Sequence, residues 1–373
     1  MKELSEVTLQ RATNRRSFVK KGLLAGTATV GAGLLASKAA SGQEAVSAPT
    51  AGDIAILTFL AAAELIETDM WQQYAELGGL TPGQEPVETD TSFMPMNTYQ
   101  NAMMQLDPDG PQYISSNTLD ELSHSTFLNA YLQSKGAPAL NLDQFRTLPS
   151  SQATGAQNIG RLTNLMNLTV DTSWYTRYRS SANPEFGATF PQAVTLVNVP
   201  GIPRTNADFA LSNIQAIANT AAFHFGTIEQ GGSSLYATMA QKVSSLEVLK
   251  IVLSIGGDEV AHFLEWVDFA GNSVQPTVAP LAAANGLPAF PNFDATVNPS
   301  LQTNLIFPVP CEFINSKLPK CAVIRPTSPG QIDAIGAING FIADGLFIGQ
   351  PQSFIELLLT LAAEADAAER LLR

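Results

Sequence analysis

Apolar residues in the first part of the chain return every three and four positions, the spacing of one helix face. Over 53–77, Ile56, Leu57, Leu60 and Ala63 keep that period together with Glu64. Gly78 and Gly79 end the run, so a first helix is predicted there. Residues 81–117 break the period with several Pro, Gly and Asp and predict a long loop, relieved by one short helix near 97–105. The period resumes over 118–135 and stops at Gly136, with Thr118 as candidate N-cap and Glu121 as its reciprocal capping partner. Residues 141–205 read as polar helical turns followed by Pro184, Pro191, Pro200, Gly201 and Pro203. A third helix is expected over 206–242 and a fourth over 245–270. The short break between these two makes them antiparallel neighbours, whereas the long connection before the third lets helices two and three run parallel. The pattern predicts an all-α four-helix bundle with long inter-helix connections over 50–271. After Gly271 the chain shifts to Pro, Asn and Val, with candidate strands at 305–309 and 322–324, and a helix returns over 352–372 on Phe354, Leu357, Leu358 and Leu361. Residues 272–373 are therefore expected to form an extension packed on the bundle, with little regular structure plus one helix.

Certain acids sit where the period calls for apolar residues. Glu64 follows Ala61, Ala62 and Ala63, one and two turns from Leu60 and Leu57, and Glu259 shares a face with Val252, Ile255 and Phe263. Glu-x-x-His occurs twice, at Glu121–His124 and Glu259–His262, and takes up two of the three histidines in the chain. Residues three apart on a helix share a face, so each copy offers a carboxylate and an imidazole to one point. Glu64 and Glu229 would supply two further carboxylates from the other helices. An ionised carboxylate among apolar side chains is costly unless paired or metal-bound. Four of them carry about four negative charges, which two divalent cations would neutralise, and the imidazoles suit iron, manganese or zinc better than calcium. Two other readings stay open: a capping role for Glu121, and a buried hydrogen-bond network without metal.

The segment ILTFLAAAELIETDMW at 56–71, ELSH at 121–124, Glu229 with Tyr236 seven residues on, and DEVAH at 258–262 carry a resemblance. On them the chain resembles the ferritin-like superfamily, and more closely its exported bacterial and plant desiccation-related branch, over about residues 53–270. The resemblance implies a di-iron or di-manganese carboxylate centre held by Glu64, Glu121, His124, Glu229, Glu259 and His262, with Glu121 and Glu259 as bridges. It also implies dioxygen or peroxide as reactant, with ferroxidase, peroxidase and catalase-like outcomes all fitting. Glu67, which has Tyr74 two turns on, stands beside Glu64 as substitute ligand or supporting group. The long first connection departs from storage ferritins, so a hollow iron-storing cage is not expected, although a homo-oligomer is compatible with the pattern. Tyr236, Tyr74 and Trp71 read first as core aromatics and second as groups tuning the centre. His224, five residues before Glu229, points elsewhere and reads as a structural or exposed histidine. Met94, Met96, Met103 and Met104 read as core filling rather than copper ligands.

Charge and the amino terminus add a compartment. Arg15, Arg16, Ser17, Phe18, Val19 and Lys20 precede a weakly apolar run over 22–36, an order that resembles a twin-arginine export signal over 1–39. Seven of the 20 basic and two of the 33 acidic residues fall in 1–39, so the formal charge of −13 becomes −18 for the remainder. That balance excludes nucleic acid as a natural partner and leaves metal ions, dioxygen or peroxide, and the export machinery. In a periplasmic or extracellular setting Cys311 and Cys321 are expected to close a short structural disulfide loop. Two functions remain open: a di-metal oxidoreductase, and a non-enzymatic envelope or stress scaffold that retains the bundle.

Overall fold

The computed structural model describes residues 48–80, 95–177, 191–293, 314–319, 321 and 333–371. The expected export signal, the strands at 305–309 and 322–324, Met94 and Cys311 lie outside these residues, and the expected disulfide with them. Among the described residues are eight α-helices and one two-stranded sheet, so the protein is mostly helical. No helix among them is long and apolar enough to cross a membrane.

Four long helices frame the centre of the molecule: α1 (Ala51–Gly78), α3 (Gly110–Ser134), α5 (Gln215–Ala240) and α6 (Leu246–Asn272). The short α2 (Thr98–Leu106) precedes α3. Paired contacts fix the directions. Along α1 and α3, Leu80 meets Ser115 at 2.8 Å, Trp71 meets Thr118 at 3.1 Å and Thr68 meets Ser125 at 3.2 Å, so the two run antiparallel. Along α5 and α6, Tyr236 lies against Gly256 and Asn219 reaches Ser273. Across the pairs, α3 joins α6 through Asn117–Trp266 and Lys135–Glu247, and α1 joins α5 through Tyr74–His224 and Tyr236–Glu64. Each of these pairs is also antiparallel, which leaves α3 and α5 parallel, the direction expected from the long connection.

Local chemistry explains the helix ends, including those the periodicity misplaces. Thr50 and Asp53 form a capping box for α1, and the Asp53 carboxylate also accepts from Ser244 and Ser245 backbone N–H, pinning the α5–α6 turn to the start of α1. Helix α3 begins at Gly110 rather than Thr118. Pro111 lies in its first turn, where the missing N–H costs nothing, and Gly110 leaves room for the Phe269 ring, which a Cβ would meet at 2.7 Å. Thr118 is consequently inside the helix, donating to Ile114 O and Trp71 O, and Glu121 has no capping role. Helix α5 begins at Gln215, nine residues later than the pattern predicts, after a 3-10 turn at Asp208–Ala210 held by Arg204 and Asp208.

The crossover before α5 is mostly irregular rather than helical. It contains the five-residue α4 (Ser173–Arg177) and the antiparallel strands β1 (Leu168–Val170) and β2 (Leu196–Val199). Its anchor is Asp69 on α1, fully buried, which accepts from Leu162 N at 3.0 Å, Thr163 N at 2.9 Å, Thr163 Oγ1 at 2.8 Å and Arg146 Nη1 at 2.7 Å. Asp69→Ala strands these donors and is expected to cost about 3–5 kcal/mol of folding free energy in urea titration. An effect under about 1 kcal/mol would contradict that anchoring.

Among the described residues the carboxyl-terminal extension holds two helices where one was expected, α7 (Ala334–Ala343) and α8 (Gln352–Asp366). The first is capped by Asp333 and accepts help from the end of the second, since Asp366 receives Ala334 N and Ile335 N. Helix α7 is too short, and too uniformly apolar, for its period to stand out from the sequence.

Candidate metal centre

The helix pitch places each Glu-x-x-His pair on one face, and the packing turns both faces inward. Glu64, Glu121, Glu229 and Glu259 are all fully buried, and His124 and His262 nearly so. Among the described residues two fully buried groups of donor atoms result, each with its members within 4.8 Å of one another, and a third, half-buried group joins Asp120 and Asp258 to His262. The first combines Glu64, Glu121, His124 and Glu259, and the second Glu121, Glu229 and His262. All six residues singled out from the sequence therefore meet. Glu121 belongs to both groups: its Oε2 lies 3.2 Å from His124 Nδ1 and its Oε1 lies 3.1 Å from His262 Nδ1. Glu259 stands in the first group only, 3.6 Å from His124 Nδ1. Glu64 takes the first-helix place, and Glu67 is buried just outside both groups.

The surrounding residues orient these donors. Asn117, one turn before Glu121, donates to Glu121 Oε1 at 2.8 Å and Glu229 Oε1 at 3.1 Å, and itself accepts from Trp266 Nε1 at 2.8 Å. The Tyr236 hydroxyl donates to Glu64 Oε1. His124 Nε2 faces Asp258 at 3.2 Å, and His262 Nε2 faces Asp120 at 3.4 Å. The acid before each Glu-x-x-His thus crosses to the histidine of the other copy, holding the ring with Nδ1 inward. These two aspartates were not singled out from the sequence. The signal was present, since both motif copies read Asp-Glu-x-x-His. Asp120→Asn and Asp258→Asn should each weaken metal binding about 10–100-fold without unfolding the chain, measured by competition with a chromophoric chelator. Unchanged affinity in both variants would leave the crossed pairs without a role in orienting the rings.

Gly232 is the remaining specific requirement. A Cβ there would lie 2.0 Å from Glu259 Oε2, so the carboxylate occupies space that only glycine leaves.

Several buried polar atoms of the centre lack a well-aligned hydrogen bond: Glu64 Oε2, Glu229 Oε2, both oxygens of Glu259, and His262 Nδ1. Their nearest partners are one another's charges, Glu64 Oε2 lying 3.5 Å from His124 Nδ1, and Glu121 Oε1 and Glu229 Oε2 lying 3.1 and 3.3 Å from His262 Nδ1, so the donor groups are held by ion pairs rather than by satisfied hydrogen bonds. The donor set, four carboxylates and two imidazoles, could hold metal ions. Titration behaviour reflects the same crowding. Burial, followed by the charge of Glu121, drives the Glu64 carboxyl up to about 7, and burial with the charges of Glu121 and Glu67 pushes Glu259 well above the carboxylate range. Burial alone would lower His124 and His262. Hydrogen bonds and charges from Glu121 and Glu64 instead raise His124 to about 10, and those from Glu121 and Glu229 raise His262 to about 12. The centre demands positive charge, from protons or from metal ions.

No family model matches the chain, and no curated protein and no solved structure matches it. The weight of the functional reading therefore rests on the residues themselves.

The weaker sequence expectations resolve individually. His224 is fully buried and pairs through Nδ1 with the Tyr74 hydroxyl at 2.7 Å, away from both donor groups. Trp71 is core, stacked on Phe225 and Trp266 at ring-centre distances of 4.8 and 5.3 Å. Met103 is core as well.

Proposed function

We propose that this chain is an exported ferritin-like four-helix bundle protein that holds two iron or manganese ions in the six-residue centre and reacts there with dioxygen or peroxide, in protection against oxidative or desiccation stress. The observation that carries the reading is the convergence of four buried carboxylates and two imidazoles, most of their inward atoms without a well-aligned hydrogen bond, on two groups sharing Glu121. Six ionisable groups with so little solvent are costly to assemble unless something positive joins them, each buried charge being worth several kcal/mol. Export by the twin-arginine route fits a protein that folds and loads its ions before leaving the cytoplasm.

Two such ions, when bound, would supply two-electron redox chemistry with dioxygen or peroxide. The chain's own residues prepare that chemistry. Glu121 offers one oxygen to each donor group, fixing their separation. Asn117 and Trp266 hold Glu121 and Glu229 in register, and the Tyr236 hydroxyl holds Glu64 and can pass it a proton. Asp258 and Asp120 fix the imidazole rings. The apolar packing around the four carboxylates excludes bulk water.

Elemental analysis of protein purified through its native export route tests the reading. Fewer than about one transition metal per chain would sink it. Ions would displace the protons that His124, His262 and Glu64 otherwise carry, so uptake should release protons and weaken as pH falls. Calorimetry in two buffers of different ionisation enthalpy measures that release. The scaffold reading has its own support in the protonated histidines, each of which can pair with the carboxylates and close the network without metal. If ions are present, oxygen and peroxide consumption separates an enzyme from a scaffold.

A further inference from the structure

A cavity of ≈ 70 Å³ lies between α1, α5 and α7, lined among others by Glu67, His224, Gly231, Gly232 and Phe341. Neither motif histidine and neither crossed aspartate lines it. Its walls are mostly apolar and rich in small residues. Thr227, Gly340 and Asp344 also line a wider space of ≈ 360 Å³, bounded by Val170 of β1 and Leu196 of β2. Gly232 lines the cavity, and a Cβ on it would lie 2.0 Å from Glu259 Oε2, so this glycine adjoins both the cavity and the first donor group.

Four polar residues line the cavity, Glu67, Thr227, Asp344 and His224, and His224 is the one with an unpaired buried ring nitrogen. Its Nδ1 meets the Tyr74 hydroxyl at 2.7 Å. With Nδ1–H donating, the Tyr74 proton and the Nε2 lone pair would both be left unpaired, whereas with Tyr74 donating a single group is, so the second tautomer is favoured. The ring proton is then on Nε2. That atom is buried and has no partner. Burial also keeps the ring neutral, its pKa falling to about 3. A buried N–H donor left unpaired is destabilising, and an accepting ligand removes that cost.

We propose that this cavity binds a small uncharged molecule, apolar over most of its surface and with one oxygen to accept from His224 Nε2–H, and presents it to the metal centre past Gly232. The size follows from the volume. The cavity of ≈ 70 Å³ is about half of an engineered 150 Å³ cavity that admits benzene, so it takes about three or four non-hydrogen atoms. The fit is to a short aldehyde, ketone or alcohol. Presentation to the ions rests on the centre proposed above, whereas binding in the cavity does not.

Propanone is a suitable probe, titrated into the full chain as purified and again after chelation, with the His224 Nε2–H resonance followed by NMR. Saturable binding in both samples, with that resonance shifted, is expected. Gly231 lines the cavity and a Cβ there meets nothing within 4 Å, so Gly231→Leu should fill the space without breaking the helix. It should raise the propanone Kd at least about tenfold while metal content stays unchanged, and Gly231→Ala should have a smaller effect in the same direction. No saturable binding, water alone in the cavity, or an affinity unchanged by Gly231→Leu overturns the inference. Binding by a chain that holds no metal would support the cavity and refute only the centre, so the two fail separately.

Discussion

Glu121→Ala is expected to take bound transition metal from about two ions per chain to fewer than about half an ion, while Glu64→Ala and Glu229→Ala each leave about one. The asymmetry follows from position. Glu121 contributes an oxygen to each donor group, whereas Glu64 serves only the first and Glu229 only the second. Removing Glu121 also deprives Asn117 of one of its two acceptors, loosening Glu229 as well. The check is metal-to-protein stoichiometry after gel filtration, with helical content followed by circular dichroism to confirm that each variant folds. Equal losses in all three variants would show that the groups fill as one unit. Retention of an ion in Glu121→Ala would refute the sharing outright.

Gly232→Ala should remove the first ion although it deletes no ligand. The added Cβ would lie 2.0 Å from Glu259 Oε2, far inside contact distance, so Glu259 must leave its place beside His124. Overpacking of this kind costs about 1–3 kcal/mol, against which alanine returns about 1 kcal/mol of helix propensity. The fold should therefore survive with a modest loss while affinity in the first group falls about 100-fold or more, because a donor has been displaced. Gly231→Ala is the internal control. It adds the same methyl one position away, into open space, and should leave metal content unaltered. Matching affinities in the two variants would mean that Glu259 is not held where Gly232 leaves room for it.

The legible part of this protein was the local part. Helix periodicity located α1, α2 and α6 to within about two residues and the start of α8, whose end it overran, and the Glu-x-x-His spacing gave two inward-facing pairs. Where the pattern failed, a side chain or a turn had overruled it. Pro111 and Gly110 read as loop formers, yet one suits a first helical turn and the other admits Phe269, so α3 starts eight residues early. The ion pair of Arg204 with Asp208 delays α5, and short α7 depends on Asp333 and Asp366 to form its first turn. The long crossover was read as helical turns because its polar residues have no strong period. Its structure depends instead on Asp69, in α1, which lies 93 residues before its partner Leu162.

The sequence by itself determined that four helices would carry buried acids and two of them a histidine three residues on, because a helix pitch of 3.6 residues is a local property. It also determined that the charge of these acids would need compensation. Only the tertiary structure decided that Glu64 rather than Glu67 joins the donor groups, that Glu121 serves both, and that Asp120 and Asp258 cross to each other's histidine. Those choices depend on how far each helix is rotated and slid against its neighbours. Rotation and slide are set by the packing of the whole core, by contacts such as Trp71 on Phe225 and Trp266, which no single segment contains.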